Sequence, residues 1–166
     1  EQIYIFLLCN LDIMSKSFNS YSSKSSEMSI KDLDTGSRKV AIYLSTFDSL
    51  DSDNDIIRKG AFKKSIQERG PQTNSNRQIA FLRYHNWEKQ IGRFEELSED
   101  SKGLFAVGYL GTSTLGSDAL ADYKDGIIKE HSIGFNYIKD KIKFIEDSSD
   151  AGGFYEINEV KLWEGS

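Results

Sequence analysis

The sequence predicts a β-rich α+β domain, folded as a small closed or nearly closed β-barrel with two or more short helices. The chain has 166 residues, of which 38% are hydrophobic and 12% aromatic, so it can bury one sizeable core. Short segments typical of strands follow one another from residue 30 onward, and only two helical segments interrupt them. Closure into a barrel would remove the exposed edges that such strands otherwise leave.

The N-terminal residues differ in composition from the rest of the chain. Residues 1–13 are mainly apolar, and eight of the fifteen residues that follow Met14 are serine. Such a polar segment buries too little apolar surface to offset its ordering entropy. We therefore predict a flexible leader over residues 1–29 and a folded domain over residues 30–166. Residues 1–13 are interpreted either as sequence upstream of a natural start at Met14 or as a β segment that swaps or binds a partner.

The first half of the predicted domain is strand, helix and strand. Residues 39–47 form a strand that ends in an Asp-rich loop. A helix over residues 61–69 ends at Gly70 and Pro71, which are typical of a helix C-terminus. A strand over residues 78–84 then places His85 at its end.

The second half begins with a hairpin. Residues 91–97 and 104–110 flank the turn sequence SEDSKG. A second helix follows over residues 117–124, with hydroxyl side chains at 112–114 as candidate N-caps and Gly126 as its stop. The last predicted strands are residues 131–138, 141–145 and 154–163.

Composition argues against several functions. Twenty-one basic residues face 26 acidic ones, a net charge of -5, which disfavours general nucleic-acid binding. One cysteine and two histidines leave little material for a zinc site, and we expect neither a metal nor an organic cofactor. The longest apolar run is far short of the roughly 20 residues of a membrane helix, so we expect a soluble cytosolic domain.

The sequence DSDND at residues 51–55 begins like a calcium loop. An EF-hand also requires a glycine at the sixth loop position and a glutamate at the twelfth, where this chain has Ile56 and Phe62. We therefore interpret the run as a polar turn.

Ser132 and His85 are the candidates for a nucleophile and its base. Side chains alternate along a strand, so Ser132 shares a face with Gly134 and Asn136, where little bulk would hinder a substrate. The neighbouring His131 points to the other face, which leaves His85 as the better partner for Ser132. A serine nucleophile needs a base within hydrogen-bond reach and a third group to orient that base.

Two glutamates in the segment NEVKLWE are candidates for the third group. Alternation places Glu164 on the face of Val160 and Leu162, whereas Glu159 falls with Lys161. We prefer Glu164 because a carboxylate at the end of an apolar face is better placed to meet a buried histidine. From the residues alone, the sequence suggests a soluble β domain with a Ser-His-Glu site.

The order of the motifs resembles one family. The pattern DxDNDIIxxGAF is followed by YHNWEKQIGR, by GLFAVGYL, by LGSDALADYKDGIIKEHSIGF and finally by NEVKLWE. Together these segments, over residues 30–164, resemble the prohead serine proteases of tailed bacteriophages. The resemblance implies an assemblin-like β-barrel, related to the herpesvirus maturation protease. Because that family usually continues past LWE, we interpret the domain as C-terminally short.

The resemblance also implies a function. It implies a serine endopeptidase that cuts the major capsid protein and scaffold precursors, and itself in some members, inside the assembling prohead in the host bacterial cytoplasm. The family's histidine falls on His85, its serine on Ser132 and its acid on Glu164, with Glu159 in reserve. The related assemblins use a second histidine, which keeps His131 open as the third member.

Other points stay open. Gly134 and Arg93 are candidate sources of oxyanion donors, and self-association of the chain is not decided. The rival interpretation is a catalytically inactive barrel that binds capsid or scaffold protein.

Overall fold

The computed structural model describes residues 21–26, 30–51, 53–146 and 152–166, with side chains described from residue 30 onward. Within these residues the chain forms strands, two α-helices and one 3₁₀ turn. The strands are β1 (Tyr21–Ser26), β2 (Asp32–Asp34), β3 (Lys39–Thr46), β4 (Asp55–Ile57), β5 (Ala80–Arg83), β6 (Asn86–Glu99), β7 (Gly103–Leu110), β8 (His131–Tyr137), β9 (Ile142–Ile145), β10 (Phe154–Ile157) and β11 (Val160–Gly165). The helices are α1 (Lys63–Arg69) and α2 (Thr114–Lys124), and the 3₁₀ turn is Lys139–Lys141.

Two sheets organise these strands. The larger has eight strands in the order β1-β8-β11-β5-β6-β7-β3-β2, and the smaller pairs β4 with β10 and β10 with β9. Most neighbours are antiparallel, but β11 runs parallel to β5 and β10 parallel to β4. This confirms the predicted β-rich α+β class. No hydrogen-bonded ladder among the described strands joins β1 to β2, so closure into a barrel stays a prediction.

The core lies on one face of the large sheet. Phe81 of β5 stacks on Phe94 of β6 with ring centroids 4.7 Å apart, and both rings are buried. Leu44 of β3 and Phe135 of β8 are fully buried in the same cluster. Burial of each such side chain contributes about 1.5–3 kcal/mol, so this face holds the sheet together.

Both predicted helices are confirmed, and their ends follow the expected rules. Helix α1 ends at Gly70, whose N–H bonds the carbonyl of Ile66 at 2.8 Å. Helix α2 begins three residues earlier than predicted, because the Ser113 hydroxyl accepts the N–H of Gly116 at 3.3 Å. Both helices pack on the sheet around the strands that carry the candidate site.

One predicted strand is wrong. Residues 154–163 form two strands, β10 and β11, which belong to different sheets. The break falls at Asn158, whose N–H bonds the carbonyl of Lys141 instead of a strand neighbour. In one continuous strand Ile157 and Val160 would point to opposite faces, but both lie in the core because the chain breaks between them.

Part of the predicted leader joins the large sheet, and the division at residue 29 stays a prediction. Residues 21–26 form β1 and pair with β8, with Ser25 opposite Ser132. A sheet edge offers backbone hydrogen bonds to any segment, so a serine-rich segment can join it without apolar side chains. The remaining residues of the predicted leader, 1–20 and 27–29, lie outside the described residues.

Asp51 and residues 53–55 of the Asp-rich run form a polar turn that leads into β4. The Asp51 carboxylate accepts the N–H groups of Asp53 at 2.9 Å and Asp55 at 3.0 Å. The buried Asp55 also accepts the hydroxyl of Tyr137 at 2.6 Å.

Neither helix of the described residues is long and apolar enough to cross a membrane.

Candidate active site

His85 lies in a tight turn between β5 and β6. Arg83 pairs with Asn86, and the two residues between them have positive φ angles, 57° at Tyr84 and 54° at His85. A two-residue hairpin turn of type I′ requires this backbone, which is usually supplied by asparagine and glycine. Tyrosine and histidine adopt it at a cost of about 1–2 kcal/mol each. Strain of this kind concentrates at functional sites.

The imidazole of His85 is held by Glu164. Its Nδ1 lies 2.6 Å from Oε1 of Glu164. The His85 side chain is 27% exposed, whereas that of Glu164 is fully buried. A carboxylate can only accept, so Nδ1 carries a proton and the other nitrogen, Nε2, is the basic one in the neutral ring.

A β-bulge in β11 directs Glu164 toward His85. Leu162 pairs with Phe135, but Glu164 pairs with Gly134, so Trp163 is an extra residue in the ladder. The prediction that Glu164 shares the face of Leu162 is therefore wrong. Leu162 points into the core with Phe135, and the bulge turns Glu164 onto the opposite face. Bulges are common next to active sites, where they redirect a side chain.

Gly165 confirms the orientation of Glu164. A Cβ atom at Gly165 would lie 2.7 Å from Leu44 Cδ1 and 2.8 Å from Phe94 Cζ, both in the core. Position 165 therefore faces the core, and its neighbour Glu164 faces away from it.

Helix α1 completes the hydrogen bonding of the bulged strand. β5 pairs with β11 only at Glu164 and Gly165, so the earlier backbone groups on that edge need other partners. The Ser65 hydroxyl accepts the N–H of Leu162 and donates to the carbonyl of Val160, both at 2.9 Å. Arg69 Nη2 donates to the carbonyl of Leu162 at 2.8 Å, and burial lowers the pKa of this guanidinium. These contacts fix the backbone immediately before the bulge.

Ser132 lies on the same face as Glu164, in the neighbouring strand β8. Ser132 and Ser166 exchange two backbone hydrogen bonds of 2.9 Å, so they are directly opposite each other. Opposite residues of an antiparallel pair point to the same face, and Ser166 is two residues from Glu164. Ser132 is therefore a diagonal neighbour of Glu164, with Cα atoms roughly 7–8 Å apart.

Ser166 connects the two halves of the site. Its hydroxyl accepts the N–H of His85 at 3.1 Å and lies 3.4 Å from the carbonyl of Leu82, to which it donates. Its backbone pairs with Ser132. The sequence reasoning missed this residue, although alternation from Glu164 would have placed it on the same face.

The reserve candidates lie elsewhere. The Glu159 carboxylate lies 3.5 Å from Lys64 Nζ and 4.0 Å from Lys141 Nζ. His131 is buried and stacks on Tyr123, with ring centroids 5.7 Å apart. Burial lowers the pKa of His131 to about 4, and a nearby backbone group of Ser166 opposes this only in part. Within the described part of the chain, neither ring nitrogen of His131 has a hydrogen-bond partner.

The two candidate sources of oxyanion donors have other contacts. Gly134 lies inside the sheet, opposite Ser23 on one side and Glu164 on the other. The Arg93 guanidinium donates to Glu95 at 3.0 Å and lies over the ring of Tyr109 at 4.3 Å. The oxyanion donors therefore stay unassigned.

Comparison with known proteins identifies the family. Residues 24–166 match the caudovirus prohead serine proteases. The chain belongs to this family. It is 36% identical over 116 residues to the prohead protease of Enterobacteria phage HK97, covering 67% of this chain and 49% of the relative. The chain thus spans about half the length of the curated relative that it matches.

A solved structure supports the fold of this prohead-protease family member. The bacteriophage T4 capsid assembly protease matches with a TM-score of 0.63, over 86% of this chain and 92% of that one. The sequence identity is 10%, so this likeness concerns the fold. The family match begins within β1 and includes His85, Ser132 and Glu164. The family resemblance of the sequence motifs is confirmed.

Proposed function

We propose that this chain is the protease domain of a serine endopeptidase that acts in phage capsid maturation. The buried carboxylate of Glu164 against His85 Nδ1 carries the proposal, because this pair lies on the face and at the end of the sheet where Ser132 lies. Family membership supports the reaction class.

The proposed reaction is acyl transfer through Ser132. The Ser132 Oγ–H loses its proton to His85 Nε2 as Oγ forms a bond to the scissile carbonyl carbon. His85 then gives that proton to the leaving amine as the C–N bond breaks. Water then gives a proton to His85 Nε2 as its oxygen bonds to the acyl carbon. The ester bond to Ser132 Oγ breaks, and Oγ takes that proton back as the carboxylic acid product leaves. Glu164 keeps the imidazole oriented and stabilises its protonated form.

The proposed substrates are the precursors of the major capsid and scaffold proteins, and the chain itself. The names of the two relatives, prohead protease and capsid assembly protease, support this substrate class. The proposed place of action is the assembling prohead in the host cytoplasm. No cofactor enters the proposed reaction.

Co-expression with the phage's own capsid precursor tests this proposal. Ser132→Ala, His85→Gln and Glu164→Gln should each abolish or severely reduce processing, since the members of such a unit act together. Ser101→Ala, in the exposed β6–β7 turn, is the matched control and should process normally. Labelling by a fluorophosphonate that disappears in both Ser132→Ala and His85→Gln would support the enzyme. Normal processing by Ser132→Ala would support the rival, a catalytically inactive binding module.

We also infer that the large sheet curls toward a barrel. Strand β3 has Cα atoms within 8 Å of β1 and of β8, although it is distant from both in the hydrogen-bonded order. In a flat sheet, β2 and β8 would be six strand spacings apart, roughly 29 Å. Spin labels on β2 and β8 should give a distance much shorter than that. A distance near the value for a flat sheet would oppose the inference.

A further inference from the structure

A groove lies on the face of the sheet that carries the candidate site. It has a volume of about 320 Å³ and is bounded by the loop before β5 and by the first residues of β6. Arg77, Trp87 and Arg93 are among its lining residues, together with the uncharged Ala80 and Gln90.

Sheet register places this groove next to Glu164. Arg93 pairs with Ala80, and Ala80 pairs with Glu164, so the three residues form one row across β6, β5 and β11. Residues in one row share a face, and each step across a sheet is about 4.8 Å. The Cα atoms of Arg93 and Glu164 are therefore roughly 10 Å apart.

The lining of the groove is cationic. It holds two guanidinium groups and no carboxylate, in a chain whose net charge is -5. Arg77 is exposed and makes no ion pair with the described residues. Arg93 contacts Glu95, but Lys39 Nζ also lies 2.7 Å from that carboxylate. Because the Arg93 side chain is 61% exposed, its pair with Glu95 is weak and leaves the guanidinium available to a ligand.

Exposed aromatic rings accompany these charges. The side chains of Tyr84 and Trp87 are 72% and 57% exposed. Tyr84 is in the turn beside His85, and Trp87 is the second residue of β6. Trp87 also lines the groove. An extended peptide that reaches His85 can thus place an apolar segment on these rings and a carboxylate against the guanidinium groups.

We propose that this groove binds an acidic side chain of the substrate polypeptide, about four to six residues from the bond that is cut. The distance follows from the sheet register, which places the Cα atoms of Arg93 and Ser132 three strand spacings and two residues apart, roughly 16 Å, and from the rise of about 3.3 Å per residue of an extended peptide. The proposal rests on the proposed protease function, and it concerns the preference of that site among substrates.

Cleavage of a mixed peptide library tests the preference directly. The wild-type chain should enrich Asp and Glu at a position about four to six residues from the cleaved bond. In Arg77→Gln/Arg93→Gln, kcat/KM should fall about five-fold for such peptides, the equivalent of about 1 kcal/mol, and stay unchanged for neutral ones. Arg77→Glu/Arg93→Glu should shift the preference to Lys and Arg. The matched control is Lys143→Gln, on the exposed side of β9 in the other sheet.

A binding measurement tests the groove without catalysis. Ser132→Ala should bind a fluorescent Glu-containing peptide more tightly than its Gln-substituted twin, and added salt should reduce the difference. When Arg77 and Arg93 are both replaced by glutamine, the difference in affinity between the two peptides should disappear. Equal binding of both peptides, or wild-type cleavage with no acidic preference, would overturn the proposal. If the peptide binds selectively but the wild-type chain cleaves nothing, the result would oppose the protease function and still support binding of an acidic side chain in the groove.

Discussion

His131 should make the folded state sensitive to acid. The side chain is 1% exposed, and burial lowers its pKa from 6.5 to about 4. Because the folded-state pKa is below the unfolded one, the unfolded chain binds more protons between pH 6.5 and pH 4. The free energy of unfolding therefore falls as the pH falls through this window, and the full stability is present above it.

The size of the effect follows from the shift. Each pKa unit corresponds to about 1.4 kcal/mol, so His131 should remove about 2 kcal/mol between pH 7 and pH 5. Carboxylates also titrate on acidification, and a variant is needed to separate their contribution. His131→Phe keeps a flat ring against Tyr123 and removes two buried nitrogens for which the described residues provide no partner.

Urea unfolding of both proteins at pH 7, 6 and 5 measures this contribution. The difference in unfolding free energy between wild type and His131→Phe should change by about 2 kcal/mol over that range, with the variant gaining relative stability in acid. Parallel pH dependences for the two proteins would refute the reasoning. The same variant should retain its protease activity, since Glu164 already occupies Nδ1 of His85.

Substitutions at three positions test the candidate site and the strands that support it. Glu164→Gln should lower kcat by about a hundredfold or more, because an amide does not stabilise the protonated ring; steady-state peptide cleavage measures this. Ser166→Ala should lower stability by about 1 kcal/mol, through loss of the hydrogen bond to the N–H of His85, and should reduce kcat more than it raises KM. Ser166→Thr, which keeps the hydroxyl, should restore part of that kcat. Gly92→Ala would place a Cβ 1.9 Å from the Tyr109 carbonyl oxygen, so thermal unfolding should show a loss of several kcal/mol.

Much of the fold could be predicted because hydrophobic periodicity and the residues that end helices or form turns act locally. Gly70 ends a helix wherever that helix packs, and the β6–β7 turn is closed by Asp100, whose carboxylate accepts the N–H of Gly103 at 3.0 Å. The division between β10 and β11 could not be predicted in this way. It depends on which sheet each strand joins, and this partnership is set by residues distant in the sequence.

The conformation of the turn at His85 was also beyond prediction. Tyr84 and His85 are not the asparagine and glycine that favour a two-residue turn, so the local sequence does not predict one there. The turn forms because β5 and β6 pair on both sides of it and because the Ser166 hydroxyl holds the N–H of His85. Tertiary contacts therefore supply what the residue types do not favour.

The bulge at Trp163 brings Glu164 to His85 although strict alternation predicts the other face for Glu164. Strict alternation places Glu164 beside Leu162, and there a carboxylate would enter the apolar core at great cost. One extra residue in the ladder reverses the face of every later side chain. It moves Glu164 to His85 and Gly165 to the core, where a Cβ atom would lie 2.7 Å from Leu44 Cδ1 and 2.8 Å from Phe94 Cζ. The positions of Glu164 and Gly165 therefore both depend on the bulge. A change that restores regular pairing in β11 should separate His85 from the Glu164 carboxylate.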